Sequence, residues 1–520
     1  MYGLTDMLNA AAHARPAALS TVCGGRARTW AQTRERVARL AAGLQGLGVG
    51  PGDRVAILAL NSDRYSEFLS AVWWAGAVVV PMNIRWTAAE NAYSLKDCGA
   101  RVLFVDRTFA ASAAEVAAAC PILEHVVWCD DGPAPDGRLG HDQLIATHGP
   151  APDSRSGGED LAGLYYTGGT TGFPKGVELP HRALWFNNLI AAKILEVEPD
   201  DVVLHAAPMF HMADSTLGGA ASIMGATHTY VPRFEPEAVM AAIEAHGVTQ
   251  TVVVPTMIAM LLQHPAFATE RLRSLRVIGY GGSSISRGVL TEALAKLPHV
   301  RFVQVYGQTE MAPIIASLPP KDHVVEGPAA ARLAAAGRAA PGCQVRIVDG
   351  AGADLPAGEV GEIVVRGPGM MHGYWNLPDQ TAATIRDGWV HTGDGGYQDA
   401  DGYVFIVDRV KDMIVSGGEN VFSAEVESAV STHPGVAQVA VIGIPSDQWG
   451  EAVHAIVVPR PGFTPSASEI MAHCEPLLAN YKRPRSVTIR AEALPLSGAG
   501  KILKRELRGP FWEGRERNVN

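Results

Sequence analysis

The feature that most constrains this chain is an alternation of strand, helix and strand that begins near residue 54 and continues for most of its length. The run RVAILAL (54–60) leads into the helix-like SDRYSEFLSAVWWAGA (62–77), and VVVPMN (78–83) follows. Near-continuous Val, Ile and Leu mark strands buried on both faces, and a helical crossover between two such strands makes them parallel members of one sheet. Strand candidates of the same kind recur at 101–106, 125–130, 251–255, 276–282 and 301–307, with helical stretches such as TRERVARLAAGLQGLG between them. The pattern predicts an α/β fold with largely parallel sheets. The most apolar stretch, AVWWAGAVVVPM (71–82), is too short to span a bilayer and contains Gly and Pro, so it reads as a helix end running into a buried strand. The Pro/Gly/Ser-rich segments 131–143 and 149–160 read as surface connections.

With 520 residues the chain exceeds what one hydrophobic core usually serves. Its last hundred residues differ in character: 438–460 reads as two strands around a polar turn, and 466–484 as a helix stopped by proline. These predict a large multi-layered domain over 1–410 and a small α+β domain over 411–520, joined near the charged segment DRVKDMI (408–414). A formal charge of -10 argues against nucleic acid or anionic lipid as partners. The cysteines at 23, 98, 120, 129, 343 and 474 include no CxxC pair and no zinc spacing, as expected of reduced thiols. The N-terminal stretch carries charges and a proline where a signal peptide would have an apolar core, so the expectation is a cytoplasmic protein with no integral membrane segment. Nothing fixes the oligomeric state, and a homodimer is allowed.

The chemistry is concentrated in LYYTGGTTGFPKGVELPH (164–181). Glycines let backbone N–H groups turn toward an anion, threonine hydroxyls add donors, and the lysine supplies charge. It is not a Walker A loop, because Lys175 follows Pro174 and precedes Gly176. A Gly/Thr-rich surface turn is the plain alternative for this stretch taken alone.

Six further segments follow in order: PMFH (208–211), YGGSSI (280–285), YGQTE (306–310), HTGDGG (391–396), DRVKDMIVSGGENV (408–421) and GAGKILKREL (498–507). Together with the phosphate loop they resemble the adenylate-forming superfamily of acyl-CoA synthetases, peptide-synthetase adenylation domains and firefly luciferase, over nearly the whole chain. Gly168 departs from the pattern, since the family usually has serine there. Lysine usage supports the likeness: only nine of the 43 basic residues are lysine, yet Lys175, Lys411 and Lys501 all fall on motif positions.

The resemblance implies an enzyme that activates a carboxylic acid with ATP and Mg²⁺ as acyl-adenylate and passes the acyl group to coenzyme A. Such a reaction joins two anions, so it calls for charge neutralisation and positioning rather than a protein nucleophile. By resemblance, Lys501 bridges carboxylate and phosphate, Glu310 is the magnesium carboxylate, Thr309 contacts the α-phosphate, and His211 lies near the acyl group and the incoming thiol. The ATP site is then Thr167, Gly168, Gly169, Thr170, Thr171, Gly172 and Lys175, with Gly281, Gly282 and Ser283 lining it from the next motif. Tyr306 should stack on adenine, Gly307 and Gln308 lead to Thr309, Asp394 should hold the ribose, and Arg409 should support ribose or phosphate. Lys411 falls at the family's hinge, and Ser416, Gly417, Gly418 and Glu419 form a loop expected on the CoA side. An acyl pocket walled by His211, Ala213, Gly218 and Gly281 looks small-residued. That suggests a medium or long fatty acid first and an aryl acid second. Asp214 reads as a helix N-cap rather than a pocket carboxylate. A CoA-independent acyl-AMP ligase is the nearest alternative, and a non-enzymatic nucleotide-binding scaffold the distant one.

Overall fold

The computed structural model describes residues 2–168, 174–409, 413–417, 419–496 and 502–513. Two large sheets dominate. In the eight-stranded one, Arg54–Leu58 lies between Val78–Pro81 and Val102–Val105, all parallel, and His125–Trp128 extends it. On its other side Leu161–Thr167 runs parallel to Val78–Pro81 and turns back as the antiparallel Lys175–Pro180. The nine-stranded sheet has a parallel centre of Thr227–Tyr230, Val202–His205, Gln250–Val253, Val277–Gly281 and Arg301–Gly307. Ile314–Leu318 then closes antiparallel on Arg301–Gly307. Each strand candidate read from the sequence is thus a strand, to within a residue or two at its ends.

Helices fill the space between the two sheets. One apolar cluster joins Val55, Ile57 and Val79 of the first sheet to Tyr230 of the second, through Tyr65, Phe68, Val72, Leu184 and Met212. Side chains of this size contribute about 1.5–3 kcal/mol each when fully buried. The helix Asp63–Trp74 at the centre starts at an N-cap, Ser62, whose hydroxyl accepts from the Tyr65 N–H. Its first two turns carry two buried carboxylates, and both are paired. Asp63 takes a fork of hydrogen bonds from Arg26 and a further contact from Arg28. Glu67 takes Arg36 at 2.5 Å and His141 at 2.8 Å. Burial without such partners would be prohibitive.

A third, antiparallel sheet is made of Gln344–Val348, Gly361–Arg366, Trp389–Gln398 and Val404–Arg409. A fourth holds Ile414–Ser416, Glu419–Val421, Val436–Ser446, Gly450–Pro459 and Ser486–Ile489. Apolar residues from 414 onward pack among themselves in two clusters, one centred on Val441 and Val453 and one on Ile442 and Leu507.

Two sequence expectations need correcting. The helix expected over 466–484 ends at Cys474, because Pro476 restricts the residue before it and supplies no N–H. The segment 131–143 is not merely a surface connection. It contains the start of the helix His141–Thr147, and His141 is buried against Glu67.

Candidate active site

Two motifs meet at a side chain that the sequence reading passed over. On either side of the Gly/Thr loop, Thr167 pairs with Lys175 in an antiparallel hairpin, so Lys175 stands at the hairpin's rim. The same strand pairs on its other edge with Gly373–Tyr374, Val177 opposite Tyr374. The Tyr374 ring lies 5.0 Å from Lys175 Nζ. Its hydroxyl donates to Glu310 Oε1 at 2.8 Å, and the Met371 N–H donates to the Glu310 carbonyl at 2.9 Å. One tyrosine therefore holds the phosphate-loop cation by its face and the proposed metal carboxylate by its tip. Tyr374 lies in an uncharged Gly-Tyr-Trp run, which carries no pattern that marks it as functional.

The strand ends carrying the other two nucleotide motifs are drawn together by glycine. A Cβ on Gly281 would sit 2.1 Å from the Val305 carbonyl oxygen, and one on Gly307 only 1.9 Å from that of Pro313. Gly282 follows with φ +80°, and Gln308 N–H donates to the Pro313 carbonyl at 3.0 Å. Backbone therefore lines this part of the cleft, at the carboxyl ends of two parallel strands where open α/β sheets take their ligands. Ser283, Thr309 and Glu310 lie just beyond those ends, all partly exposed.

Tyr306 is 8% exposed, and its hydroxyl donates to Asp394 Oδ2 at 2.8 Å. The Asp394 backbone N–H in turn donates to Thr392 Oγ1 at 3.1 Å, which fixes the carboxylate's position. Arg409 is the residue opposite Asp394 across the antiparallel pair. Expected adenine, ribose and phosphate contacts thus fall on adjoining elements.

His211 is the N-cap of the helix Met212–Met224, and its Nδ1 accepts from the Ala213 N–H at 3.2 Å. That bond places the ring proton of the neutral imidazole on Nε2. The expected cap role of Asp214 therefore falls to His211, and Asp214 sits inside the first turn, 1% exposed. The expected acyl wall is not brought together: His211 caps this helix, Ala213 and Gly218 lie along it, and Gly281 ends a strand of the nine-stranded sheet. Gly218 lines a pocket of about 80 Å³ with Met209, Met212 and Ser215, whereas His211, Ala213 and Gly281 do not line it.

In the last sheet Ser416 pairs with Glu419, and Gly417 turns between them with φ +63°. A Cβ on Gly417 would meet the Trp449 ring at 2.8 Å, and its N–H donates to the Trp449 carbonyl at 2.8 Å. Gly169, Thr170, Thr171, Gly172, Lys411, Gly418 and Lys501 lie outside the described residues. Among those described, no group of three His, Cys, Asp or Glu side chains could hold a metal. One carboxylate fits Mg²⁺ well, since this ion is usually held by one or two carboxylates with phosphates and water. No described helix is long and apolar enough to cross a membrane.

An α/β body with glycine-lined strand ends, a cation on a hairpin rim and a carboxylate beside it defines a nucleotide-handling enzyme. Comparison with known proteins places it further. The AMP-binding enzyme family matches residues 8–375, and the AMP-binding enzyme C-terminal domain matches residues 425–501. The chain belongs to this family, as an adenylate-forming enzyme of the acyl-CoA synthetase type. It is 39% identical to a fatty acid–[acyl-carrier-protein] ligase, ScoC, of Streptomyces coeruleorubidus, over 97% of this chain and 96% of the relative. It is 40% identical to a feruloyl-CoA synthase of Amycolatopsis, over 95% and 96%. Among solved structures, the anthranilate CoA ligase AuaEII with anthranoyl-AMP superposes with TM-score 0.90 at 28% identity, covering 98% of this chain and 97% of that one.

Proposed function

We propose that the chain converts a carboxylic acid, MgATP and coenzyme A into an acyl-CoA, AMP and pyrophosphate. In the first half-reaction a carboxylate oxygen bonds to the α-phosphorus of ATP as the bond to the β-phosphate oxygen breaks. Lys175 supplies positive charge from the hairpin rim, and Tyr374 keeps it from drifting. Glu310 would hold Mg²⁺, which when bound would supply neutralising charge to the phosphate oxygens. Asp394, fixed by Tyr306, accepts from the ribose hydroxyls, and Thr309 donates to the α-phosphate. Lys501 approaches the reacting oxygens from the small domain. In the second half-reaction the CoA sulfur bonds to the acyl carbon, AMP departs, and the thiol proton is released. His211 positions the acyl group for this step, the loop 416–419 admits the thiol arm, and residues 411–520 turn about Lys411 between the two steps.

The observation that carries this reading is the placement of Lys175 and Glu310 on the face and the tip of Tyr374, a cation and a carboxylate ready for one triphosphate. The acid was read from the sequence as fatty first and aryl second, and the named relatives act on acids of both kinds. The test is a panel of fatty and aryl acids with MgATP, alone, with CoA and with an acyl-carrier protein, followed by mass spectrometry. The expected result is AMP and acyl-CoA with one acid class, only when CoA is present. Acyl-AMP without thioester would move the enzyme to the CoA-independent branch. Thioester formed only on the carrier protein would change the acceptor.

A further inference from the structure

The last turn of the helix Ala88–Cys98 is joined to both neighbours of the strand Lys175–Pro180. The final carbonyls of an α-helix have no partner within it. Here the Asp97 carbonyl accepts from Trp375 Nε1 at 3.0 Å, and the Cys98 carbonyl accepts from Arg54 Nε at 2.5 Å. The Asp97 carboxylate accepts from the Tyr166 hydroxyl, Oδ2 at 2.5 Å. Burial, with Cys98 and Asp97 close by, pushes the Tyr166 phenol well above its usual range, so its hydroxyl stays a donor. One residue thus holds a side chain from each side of Lys175–Pro180: Tyr166 from Leu161–Thr167, and Trp375, which follows Gly373–Tyr374.

The two held side chains close on the residue next to Lys175. Tyr166 pairs with Gly176 across the hairpin, and the Trp375 N–H donates to the Gly176 carbonyl at 2.8 Å. A Cβ on Gly176 would sit 3.1 Å from Tyr166 Cζ and 3.3 Å from Trp375 Cβ. Successive residues of a strand face opposite sides of its sheet. Tyr166 and Trp375 therefore grip one face at Gly176, while Lys175 projects from the other, toward the Tyr374 ring. The Arg54 guanidinium lies 5.6 Å from the Trp375 ring and backs the indole. Asp97, Tyr166 and Trp375 are each only partly buried, so water can replace their hydrogen bonds and their loss costs the fold little. What the bonds fix is the position of the rim.

We propose that Asp97 is a positioning residue for adenylation: by holding Tyr166 and Trp375 it sets where the Lys175 ammonium meets the phosphates of ATP. This rests on the ligase reading above. Asp97 acts through the hairpin and not on the reacting atoms. Such an action is effective because a displacement of about 1 Å, caused far from the chemistry, can cost as much as a hundred-fold in rate. The two contacts are separable, since Tyr166 uses the Asp97 side chain and Trp375 uses its backbone. No motif string contains Asp97, which lies 69 residues before Tyr166.

The test compares Asp97→Ala with Asp97→Asn in ATP–pyrophosphate exchange and, separately, in thioester formation from supplied acyl-AMP. Asp97→Ala should lower kcat/KM for ATP roughly ten-fold and raise the KM for pyrophosphate, with the KM for the acid unchanged. Thioester formation uses no triphosphate and should stay at the level of the unaltered enzyme. Asp97→Asn keeps an oxygen that can accept from Tyr166 and should recover most of the loss. Tyr166→Phe should match Asp97→Ala, and the double variant should be no worse than either, because all three remove the same bond. Trp375→Phe loses the indole donor and keeps an aromatic ring beside Arg54. It serves if Asp97→Ala does not fold, and it should show the same loss confined to adenylation. Equal loss in both half-reactions, a lowered melting temperature with kcat/KM for ATP unchanged, or no recovery in Asp97→Asn would overturn the proposal and leave the ligase reading standing. No exchange by the unaltered enzyme with any acid would remove that reading and this inference with it.

Discussion

At the scale of single residues, Tyr374 makes the sharpest prediction. Its ring and its hydroxyl serve different partners, so the two can be separated by substitution. Tyr374→Phe keeps the face presented to Lys175 and loses the hydrogen bond to Glu310. A hydrogen bond to a charged group contributes about 1.5–3 kcal/mol. The expected outcome is a roughly ten-fold or greater rise in the Mg²⁺ concentration that half-saturates adenylation, with thermal stability little changed. Tyr374→Leu should in addition raise the KM for ATP, and Mg²⁺ titrations at fixed ATP would show whether the two effects part in this way. Gly168 makes a gentler one. A Cβ there would meet nothing within 4 Å, so packing does not demand the glycine. Gly168→Ser should fold normally and lower the KM for ATP by restoring a hydroxyl donor, read from initial rates. The sequence exposed Lys175, Glu310 and Asp394 because charged residues in glycine-rich turns form recognisable strings. Tyr374 was invisible because its role arises only when strand Lys175–Pro180 pairs with a segment almost two hundred residues away.

At the scale of elements, buried strands were legible to within a residue or two because runs of Val, Ile and Leu leave few other readings. Caps were less so. Asp214-Ser-Thr offered a cap in sequence, but the helix began at His211, whose imidazole satisfies the Ala213 N–H while Asp214 turns inward to His205. His181 shows the same point at the start of the helix His181–Leu195. His181 is a joint between the N-terminus and this helix. Its Nδ1 accepts from the Leu4 N–H at 3.2 Å, and it is 1% exposed. Burial brings its pKa from 6.5 down to about 4. The folded chain therefore binds fewer protons than the unfolded chain between those values, and stability is full above pH 6.5 and falls as pH drops toward 4. The slope from this one residue is about 1.4 kcal/mol per pH unit. Asp63 acts in a separate window: burial alone would raise its carboxyl, but Arg26 and Arg28 bring it down to about 2, so its contribution is lost only below about pH 4. Urea melts at pH 7 and pH 5 should show a marked drop in midpoint, and His181→Gln should make that drop shallower. An equal drop in the variant would mean that other groups set the acid sensitivity.

At the scale of the whole molecule, apolar residues from 414 onward share no cluster with those before it among the described residues, as expected if the last hundred residues fold around a core of their own. On the proposed division, the large domain would carry Glu310, Lys175 and Asp394. The small domain would carry the residues 416–419 and Lys501. This division makes the two half-reactions separable by mutation. During adenylation two anions must come together, and a lysine brought from the small domain lowers that electrostatic barrier directly. Thioester formation starts from a neutral thiol and an already activated acyl carbon, so it has no need of that cation. Lys501→Ala should therefore reduce acyl-AMP formation by at least a hundred-fold, about 2.7 kcal/mol of transition-state stabilisation, while thioester formation from supplied acyl-AMP stays within a few-fold. Lys411→Pro gives the reverse test, since a fixed φ at the hinge should hold one arrangement of the domains and slow the passage between steps. Rapid-quench measurement of acyl-AMP and acyl-CoA in single turnovers separates these cases. If Lys501→Ala slows both half-reactions equally, the lysine acts on the fold or on nucleotide binding in general, and the small domain does not exchange one set of groups for another.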